Sequence, residues 1–402
     1  MTAPPYRWVV LAVAVVGFMQ THVHRMAFAP LIPTFVGDLG LTYAAAGTIQ
    51  TAYFWTYALA QIPFGMVADR WGSRRVMVVC MAVLAVGAVA FAASRTYGES
   101  IVARSLVGLG AAAVWVPGMR LIAEWFPVAE RGRATGLMSG GGGFGGTLGL
   151  ILVPWLAAMW GWRVAYGALA LPALLTLLFI VLALPRDARV TPAAATVRRS
   201  GSLVRVLAHR AVWPLNLSVT FSYGGYFSFV TFLPAFLVKR LALSDTQAGV
   251  ITGLITAGTI LSWPLAGALS DRFGRRKPIY LASQSASALV CFVFALGDGW
   301  MGATSASVIA VSAGILIGGL ILPFVVVSEM FPRELAATAA GVTNAACFVG
   351  GMILPIVLGR VLDVTGSFAA AFVVAGAVQV AACVFGAFMA ETGGGRYTAE
   401  RS

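Results

Sequence analysis

The sequence predicts an all-α membrane protein with twelve transmembrane helices, arranged as two pseudo-symmetric six-helix bundles. Three observations predict this fold class: an apolar composition, twelve apolar stretches of spanning length, and a motif that recurs half a chain later. Hydrophobic residues occupy 59% of the 402 positions and charged residues only 10%. A soluble domain does not bury so large an apolar fraction, so lipid has to cover part of it.

The apolar stretches define the elements in chain order. Each is close to the roughly 20 residues that a helix needs to cross a bilayer. Backbone groups inside lipid must bond within their own segment, and the stretches show no strand-like alternation, so each is predicted to be a helix. The predicted spans are 8–36, 43–68, 76–94, 100–123, 134–159, 164–184, 211–238, 247–269, 278–297, 301–328, 335–359 and 367–390.

The fifth span is rich in glycine, with eight of them between positions 136 and 149. Glycine leaves no side chain between two helix backbones, so the pattern predicts that another helix packs closely against this one. A bend of the helix during a conformational change is the alternative interpretation.

An internal repeat relates the two halves of the chain. The segment 65–74, GMVADRWGSR, recurs 202 residues later as 267–276, GALSDRFGRR. The segment 124–127, EWFP, recurs as 329–332, EMFP. Two matched motifs in the same order indicate a duplicated chain whose halves fold alike. In membrane transporters built from repeats, the solute site lies where the repeats meet.

A polar segment at the midpoint, 185–210, predicts a basic linker between an N-terminal bundle, 1–184, and a C-terminal bundle, 211–402, with a short tail. With the N-terminus inside, 19 of the 27 Lys and Arg residues fall in inner segments and five in outer loops. This positive-inside distribution predicts cytoplasmic termini and explains the net charge of +13 without nucleic acid. Nearly all the basic residues are Arg, which is typical of a GC-rich bacterial genome. Together with the twelve spans, this predicts a multi-pass protein of a bacterial inner membrane.

The sequence shows none of the patterns of a cofactor site, a metal site or an enzyme. The four cysteines lie far apart inside apolar spans, and three histidines without adjacent acids make no ligand set. A phosphate-binding loop of the Gly-x-x-x-x-Gly-Lys-Ser/Thr kind is missing. We therefore expect no cofactor, no metal, no nucleic acid and no enzymatic activity, in a functional monomer surrounded by membrane lipid.

The repeated loop resembles the signature loop of the major facilitator superfamily. The segment 101–110, IVARSLVGLG, is similar to that superfamily's second motif, an Arg followed by spaced glycines, with Val107 where Gln is common. The resemblance covers the whole chain. It implies the major facilitator fold, alternating-access secondary transport, and a solute site near the membrane midplane. It also implies that Arg104 is buried and serves coupling, whereas its position alone would let it snorkel to the outer surface.

Two segments of the first half, 24–30 and 118–132, resemble the organic-anion and organophosphate carriers. In those carriers an Arg at the place of Arg25 binds the substrate anion. The organophosphate carriers have a second Arg in helix seven, where this chain has Tyr226. The sugar-acid carriers often have an Asp before the helix-one Arg, where this chain has His24. These departures argue against a phosphate ester as substrate and against the sugar-acid scheme of proton coupling.

The charges inside the spans predict the sign of the substrate. None of the fourteen acidic residues falls mid-span, whereas Arg25 does. A charge at the bilayer centre costs roughly 2.5–3.5 kcal/mol even on the lenient insertion scale, so it needs a partner or a function. A guanidinium binds a carboxylate or sulfonate with two parallel hydrogen bonds. We therefore predict that Arg25 binds an incoming organic anion, the alternative being a structural Arg bonded to carbonyls at a helix break.

Other polar residues could complete this substrate site. His22 shares a helix face with Arg25 at a spacing of three, while His24 points about 100° away. Tyrosine and asparagine can bond a carboxylate or hydroxyl without adding charge. Tyr53, Tyr223, Tyr226 and Asn344 are therefore further candidates, and Gln50 and Gln284 are weaker ones. The alternative for each is an ordinary packing or interhelical role.

The repeated loops predict gating contacts. Asp69 with Arg70, and Asp271 with Arg272, occupy equivalent places, and each Asp could cap the next helix or pair with an Arg of its loop. Arg120 has Glu124 one helical turn later, which favours an ion pair at the inner gate.

Proton symport is the favoured energy source, with the proton carried by His22 or His24, whose reference pKa of about 6.5 lies in the useful range. Anion exchange is the main alternative. Efflux of drug-like solutes by the same fold, and a transporter-like sensor, are the rival functions. The solute, the direction and the stoichiometry do not follow from the sequence.

Overall fold

The computed structural model describes residues 6–185, 202–297 and 299–393, and all regular structure in these ranges is helical. In chain order the helices are α1 (Tyr6–Met26), α2 (Ile32–Leu39), α3 (Tyr43–Trp71), α4 (Ser73–Ala93), α5 (Tyr97–Ala112), α6 (Trp115–Trp125), α7 (Val128–Ala168), α8 (Ala170–Ala183), α9 (Ser202–Ala208), α10 (Val212–Leu241), α11 (Asp245–Phe273), α12 (Lys277–Ala295), α13 (Ala303–Leu316), α14 (Leu322–Met330), α15 (Arg333–Thr365) and α16 (Phe368–Ala387). The predicted all-α class is confirmed.

The twelve predicted spans are recognisable in this series. In the described residues, ten stretches are long and apolar enough to cross a membrane. One of them, Glu130–Ala183, is 54 residues long and covers the fifth and sixth predicted spans, which meet at Gly161 in the left-handed region with φ of 79°. Helix α3 covers the second predicted span. The chain is thus a multi-pass membrane protein.

Three spans are interrupted where the sequence places proline. A 3₁₀ turn at Ala29–Leu31, which contains Pro30, separates α1 from α2. The fourth span breaks between α5 and α6, and the tenth breaks at a second 3₁₀ turn, Ile317–Ile321. In both of these, the second segment carries a proline in its first turn, where a missing N–H costs little. The fourth and tenth spans, which are equivalent in the two halves, therefore share a helix break, whereas α10 continues through Pro234 where the first span is broken at Pro30.

Two compact units organise the chain. Among the described residues, the first unit comprises 6–41, 48–185 and 244–253, and the second comprises 42–47, 202–243, 254–297 and 299–393. The short pieces 42–47 and 244–253 are grouped with the opposite half of the sequence. Residues 186–201 of the expected linker lie outside the described residues, and its remaining part includes the helix α9.

The glycine-rich part of α7 packs against α1 in the first unit. A Cβ at Gly145 would lie 2.3 Å from the carbonyl oxygen of Met19, and one at Gly149 would lie 2.5 Å from that of Val23. Such distances are far inside van der Waals contact, so only glycine allows the two backbones to approach this closely. The packing interpretation therefore holds at Gly145 and Gly149.

Candidate functional site

Arg25 lies at the end of α1, just before the proline-containing turn. Its side chain is buried, with 7% of its surface exposed. The guanidinium carbon lies 4.8 Å from the ring centre of Tyr57, 5.6 Å from that of Tyr53 and 5.9 Å from that of Phe54. Such distances allow cation–π attraction.

His22 orients this guanidinium. Its Nδ1 lies 3.1 Å from the carbonyl oxygen of Phe18, and its Nε2 lies 3.3 Å from Nη1 of Arg25. Because a carbonyl can only accept, Nδ1 carries the hydrogen and Nε2 is left to accept from Arg25. The ring of Phe18 packs edge-on against the imidazole at 4.4 Å. The predicted pairing of these two residues on one helix face is thus present.

Arg104 is a second buried cation, and it does not snorkel. Its side chain is completely buried and donates to the carbonyl oxygen of His24 at 2.9 Å, to Oε1 of Gln50 at 2.9 Å and to the hydroxyl of Tyr166 at 2.5 Å. These acceptors belong to α1, α3 and α7. All three are neutral, so Arg104 binds three helices of the first unit together. The expected snorkelling alternative is wrong.

Helix α3 connects the two arginines. Gln50 accepts from Arg104 and donates from Nε2 to the backbone carbonyl of Arg25 at 3.2 Å. Tyr53 lies one turn later on α3. The centre of its ring is 5.3 Å from the guanidinium carbon of Arg104 and 5.6 Å from that of Arg25. The hydroxyl of Tyr53 donates to the carbonyl of Thr21 at 2.9 Å. The hydroxyl is therefore used within the protein, and Tyr53 presents its ring to the two cations.

His24 belongs to the Arg104 cluster and not to the face of His22. Its side chain is completely buried, and its ring centre lies 6.2 Å from that of Tyr166. His22 is only half-buried. The spacing along α1 therefore separates the two histidines as helix geometry predicts, and of the two it is His22 that contacts the Arg25 guanidinium.

The second unit contains the remaining substrate candidates. The hydroxyl of Tyr223 donates to the carbonyl of Leu320 at 3.2 Å. Tyr226 lines a small pocket together with Ser287 and Gln379. Asn344 is half-buried on α15. These residues lie on α10 and α15, as the sequence predicts.

The buried cations of the first unit have apolar counterparts in the second. Aligning the prolines at 30 and 234 sets Phe229 at the place of Arg25. Phe229 packs against Phe372 at 5.1 Å and Phe294 at 5.4 Å between ring centres. Counting from the first residues of α5 and α13, Ala310 occupies the place of Arg104 and is completely buried. The duplication has kept the helices while the buried positive charges differ between the halves.

The gating residues of the second unit form a linked cluster around Arg276. This guanidinium pairs with Asp271, in an expected loop contact, and with Glu329 of the second repeated motif at 2.8 Å. Hydrogen bonds from Arg276 to Glu329 and Asp271 raise the pKa of the guanidinium. Arg272 is exposed. The Arg of the loop that pairs with Asp271 is thus Arg276.

In the first unit, Arg120 makes the predicted ion pair with Glu124 at 2.7 Å. It also donates to the carbonyl of Ala68, near the end of α3, at 2.9 Å. The side chains of Asp69 and Arg70 lie outside the described residues.

Comparisons with known proteins agree with this architecture. A sequence profile of the Major Facilitator Superfamily matches residues 9–355 and 215–397. The probable sulfoacetate transporter SauU of Cupriavidus necator is 27% identical over 396 residues, covering 92% of this chain and 91% of that protein. The probable galactarate/D-glucarate transporter GudP of Bacillus subtilis is 27% identical, covering 86% and 83%. The hexuronate transporter of Escherichia coli is 24% identical, covering 90% and 88%.

Solved structures show the same fold at low identity. The crystal structure of a D-xylose-proton symporter superposes with a TM-score of 0.80 at 18% identity, covering 98% of this chain and all of that one. A bacterial homologue of the human lysosomal transporter Spinster, inward-facing and occupied, gives 0.74 at 18% identity, covering 96% and 97%.

Proposed function

The chain belongs to the Major Facilitator Superfamily and is a secondary transporter, and we propose that it moves a small organic anion, a carboxylate, across the membrane by alternating access. The single observation that carries this proposal is the environment of Arg25. A guanidinium is buried there among aromatic rings and a histidine nitrogen, all of them neutral. A carboxylate entering that environment would neutralise the charge and gain two parallel hydrogen bonds.

Arg104 is the second buried cation of this unit. It has three hydrogen-bond acceptors from the protein, one of them a backbone carbonyl. That is the arrangement of a structural arginine. Relatives named as sulfoacetate, glucarate and hexuronate transporters also support an anionic substrate.

Proton symport is the coupling mode that we favour, with His22 as the proton carrier. Neutral His22 accepts a hydrogen bond from Arg25 at 3.3 Å. A protonated imidazole has no acceptor atom, and its charge would repel the guanidinium. An anion bound at Arg25 would remove that repulsion, so anion binding and proton binding would favour each other reciprocally. Anion exchange without a proton is the second candidate, and efflux of drug-like solutes is the third.

We also propose the cellular setting that the charge distribution predicts. The protein would act as a monomer in a bacterial inner membrane, with both termini cytoplasmic. Asp69, Arg70, Asp271, Arg272, Arg120 and Glu124 would serve the gating movements. His24 and Arg104, which were candidates for binding and coupling, would then act by holding the first unit together.

Thermal stabilisation of the purified protein tests the anion assignment. A panel of carboxylates, sulfonates and phosphates would be titrated against the wild type and Arg25→Gln, with the exposed Arg95→Gln as the matched control. A ligand at about 100 times its dissociation constant stabilises the folded state by about 2.7 kcal/mol, which is easily measured. We expect carboxylates to stabilise the wild type and the control but not Arg25→Gln. Stabilisation that survives Arg25→Gln would contradict the proposal.

Reconstituted vesicles separate the coupling modes. Under proton symport, a pH that is lower outside than inside drives accumulation of the anion in vesicles that contain no internal anion. Under exchange, accumulation requires internal anion and ignores the pH gradient.

A further inference from the structure

Hydrogen-bonding groups beside Arg25 are largely used within the protein. His22 donates from Nδ1 to a carbonyl and accepts the guanidinium at Nε2. The hydroxyl of Tyr53 donates to the carbonyl of Thr21, and the amide of Gln50 is bonded at both its oxygen and its nitrogen. The groups that could have bonded substrate hydroxyls therefore hold the site in shape.

Ring surfaces make up much of what surrounds the cation. Tyr57 is the nearest ring to the Arg25 guanidinium, at 4.8 Å. On the other side of His22, the ring of Phe18 packs against the imidazole at 4.4 Å and against the half-buried Trp115 at 4.8 Å. A carboxylate bound by Arg25 would thus place its remaining atoms among aromatic rings.

These two observations point in the same direction. A hydroxyl buried without a hydrogen bond costs about 1–3 kcal/mol in proteins, whereas an aromatic ring packed on another gains about 0.5–1.5 kcal/mol beyond its buried area. We propose, on the basis of the function proposed above, that the transported anion is an aromatic carboxylate and that the Arg25 site rejects polyhydroxylated sugar acids.

The second unit contains a similar surface. Tyr223 packs against Phe227 and Phe324, each with ring centres 6.1 Å away, and its hydroxyl is used by the Leu320 carbonyl. Tyr226 packs against Phe227 at 5.5 Å. The substrate candidates of this unit therefore also offer aromatic faces.

Two monocarboxylates of equal charge test the inference. Benzoate and D-glucuronate would be titrated against the purified wild type, with dissociation constants taken from the concentration dependence of thermal stabilisation. We expect benzoate to bind about tenfold or more tightly than D-glucuronate, which corresponds to the loss of one buried hydrogen bond. Equal or tighter binding of D-glucuronate would overturn the inference.

Variants of Tyr57 test the part played by its ring. Tyr57→Phe keeps the ring and should keep the preference for benzoate, whereas Tyr57→Leu should reduce it several-fold. Trp115→Leu is a second variant with the same expectation, and Trp155→Leu, which is 47% exposed, is the matched control. If Tyr57→Leu and Trp115→Leu both kept the full preference, the rings would have no part in selection and the inference would be wrong.

Arg25→Gln distinguishes this failure from that of the proposed function. If D-glucuronate binds the wild type as tightly as benzoate or more tightly, and this binding disappears in Arg25→Gln, only the aromatic substrate is refuted and the anion transporter stands. If no carboxylate shows stabilisation that depends on Arg25, the proposed function fails, and the aromatic substrate fails with it.

Discussion

Arg104 donates a hydrogen bond to the backbone carbonyl of His24, at 2.9 Å. The acceptor lies in the residue directly before Arg25, and the carbonyl of Arg25 itself is held by Gln50. Arg104, through its bond to the residue before Arg25, can therefore help to determine where the Arg25 side chain points. The sequence analysis expected coupling from Arg104, and its contacts indicate a positioning role.

Replacing Arg104 should destabilise the first unit. Arg104→Met removes three hydrogen bonds and leaves Gln50 and Tyr166 short of a donor in a buried place, at a cost of about 3 kcal/mol or more. Arg104→Lys should rescue only part of this loss, because an ammonium cannot reproduce the planar fork. Thermal unfolding in detergent measures the effect. An Arg104→Met protein as stable as the wild type would contradict the role described here.

The glycine contacts between α1 and α7 predict a strongly position-dependent effect of a single methyl group. Gly145→Ala places a Cβ 2.3 Å from the Met19 carbonyl oxygen, so the helices must separate. We expect a loss of about 1–3 kcal/mol of stability, with weaker anion binding because α1 carries Arg25. Gly140→Ala is the control on the same helix, since its Cβ meets nothing within 4 Å. Equal effects of the two substitutions would argue against the packing.

His22→Gln tests the proton carrier. The glutamine oxygen can still accept from Arg25, but it cannot take up a proton at physiological pH. Uptake driven by a pH gradient should fall to the level of leakage, while counterflow of preloaded anion continues. His24→Gln, in the buried cluster, should instead lower the thermal stability and leave the dependence on the pH gradient unchanged. Retained pH-driven accumulation in His22→Gln would exclude this residue as the carrier.

The cluster around Arg276 should affect turnover more than binding. Arg276→Gln breaks the pairs with Asp271 and Glu329, which join the two repeated motifs of the second unit. We expect the maximal transport rate to fall about tenfold with little change in anion affinity, as for a conformational step. The exposed Arg275→Gln, in the same loop, is the matched control and should transport normally. An unchanged transport rate in Arg276→Gln would argue against a gating role for this cluster.

The spans and the repeat were predictable because they depend on local composition. Lipid requires long apolar helices, and duplicated motifs such as 65–74 and 267–276 remain visible in a single sequence. The mid-span position of Arg25 and its shared face with His22 follow from helix geometry alone. The count of spans needed no tertiary information, although the fifth and sixth run on through Gly161 without an intervening loop.

The partners of the buried polar side chains were less predictable from the sequence. His24 was a candidate for the substrate site, but in the packed first unit it is buried beside Tyr166 of α7. The hydroxyl of Tyr53 looked available for a ligand, but it is used by the Thr21 carbonyl. No signal in a single sequence distinguishes such cases, because the partner belongs to another helix.

The amino-acid order by itself thus determined the membrane-spanning helices, their duplication, the family and the presence of a mid-span cation in helix one. The tertiary structure decided that Arg104 bonds to three helices of the first unit, that Arg25 contacts His22, and which arginine pairs with Asp271. The physical reason is the distance along the chain over which each kind of interaction acts. Hydrophobicity and helical periodicity act over neighbouring residues, whereas Arg104 and His24 meet across 80 positions of chain, through contacts that exist only once the helices have packed.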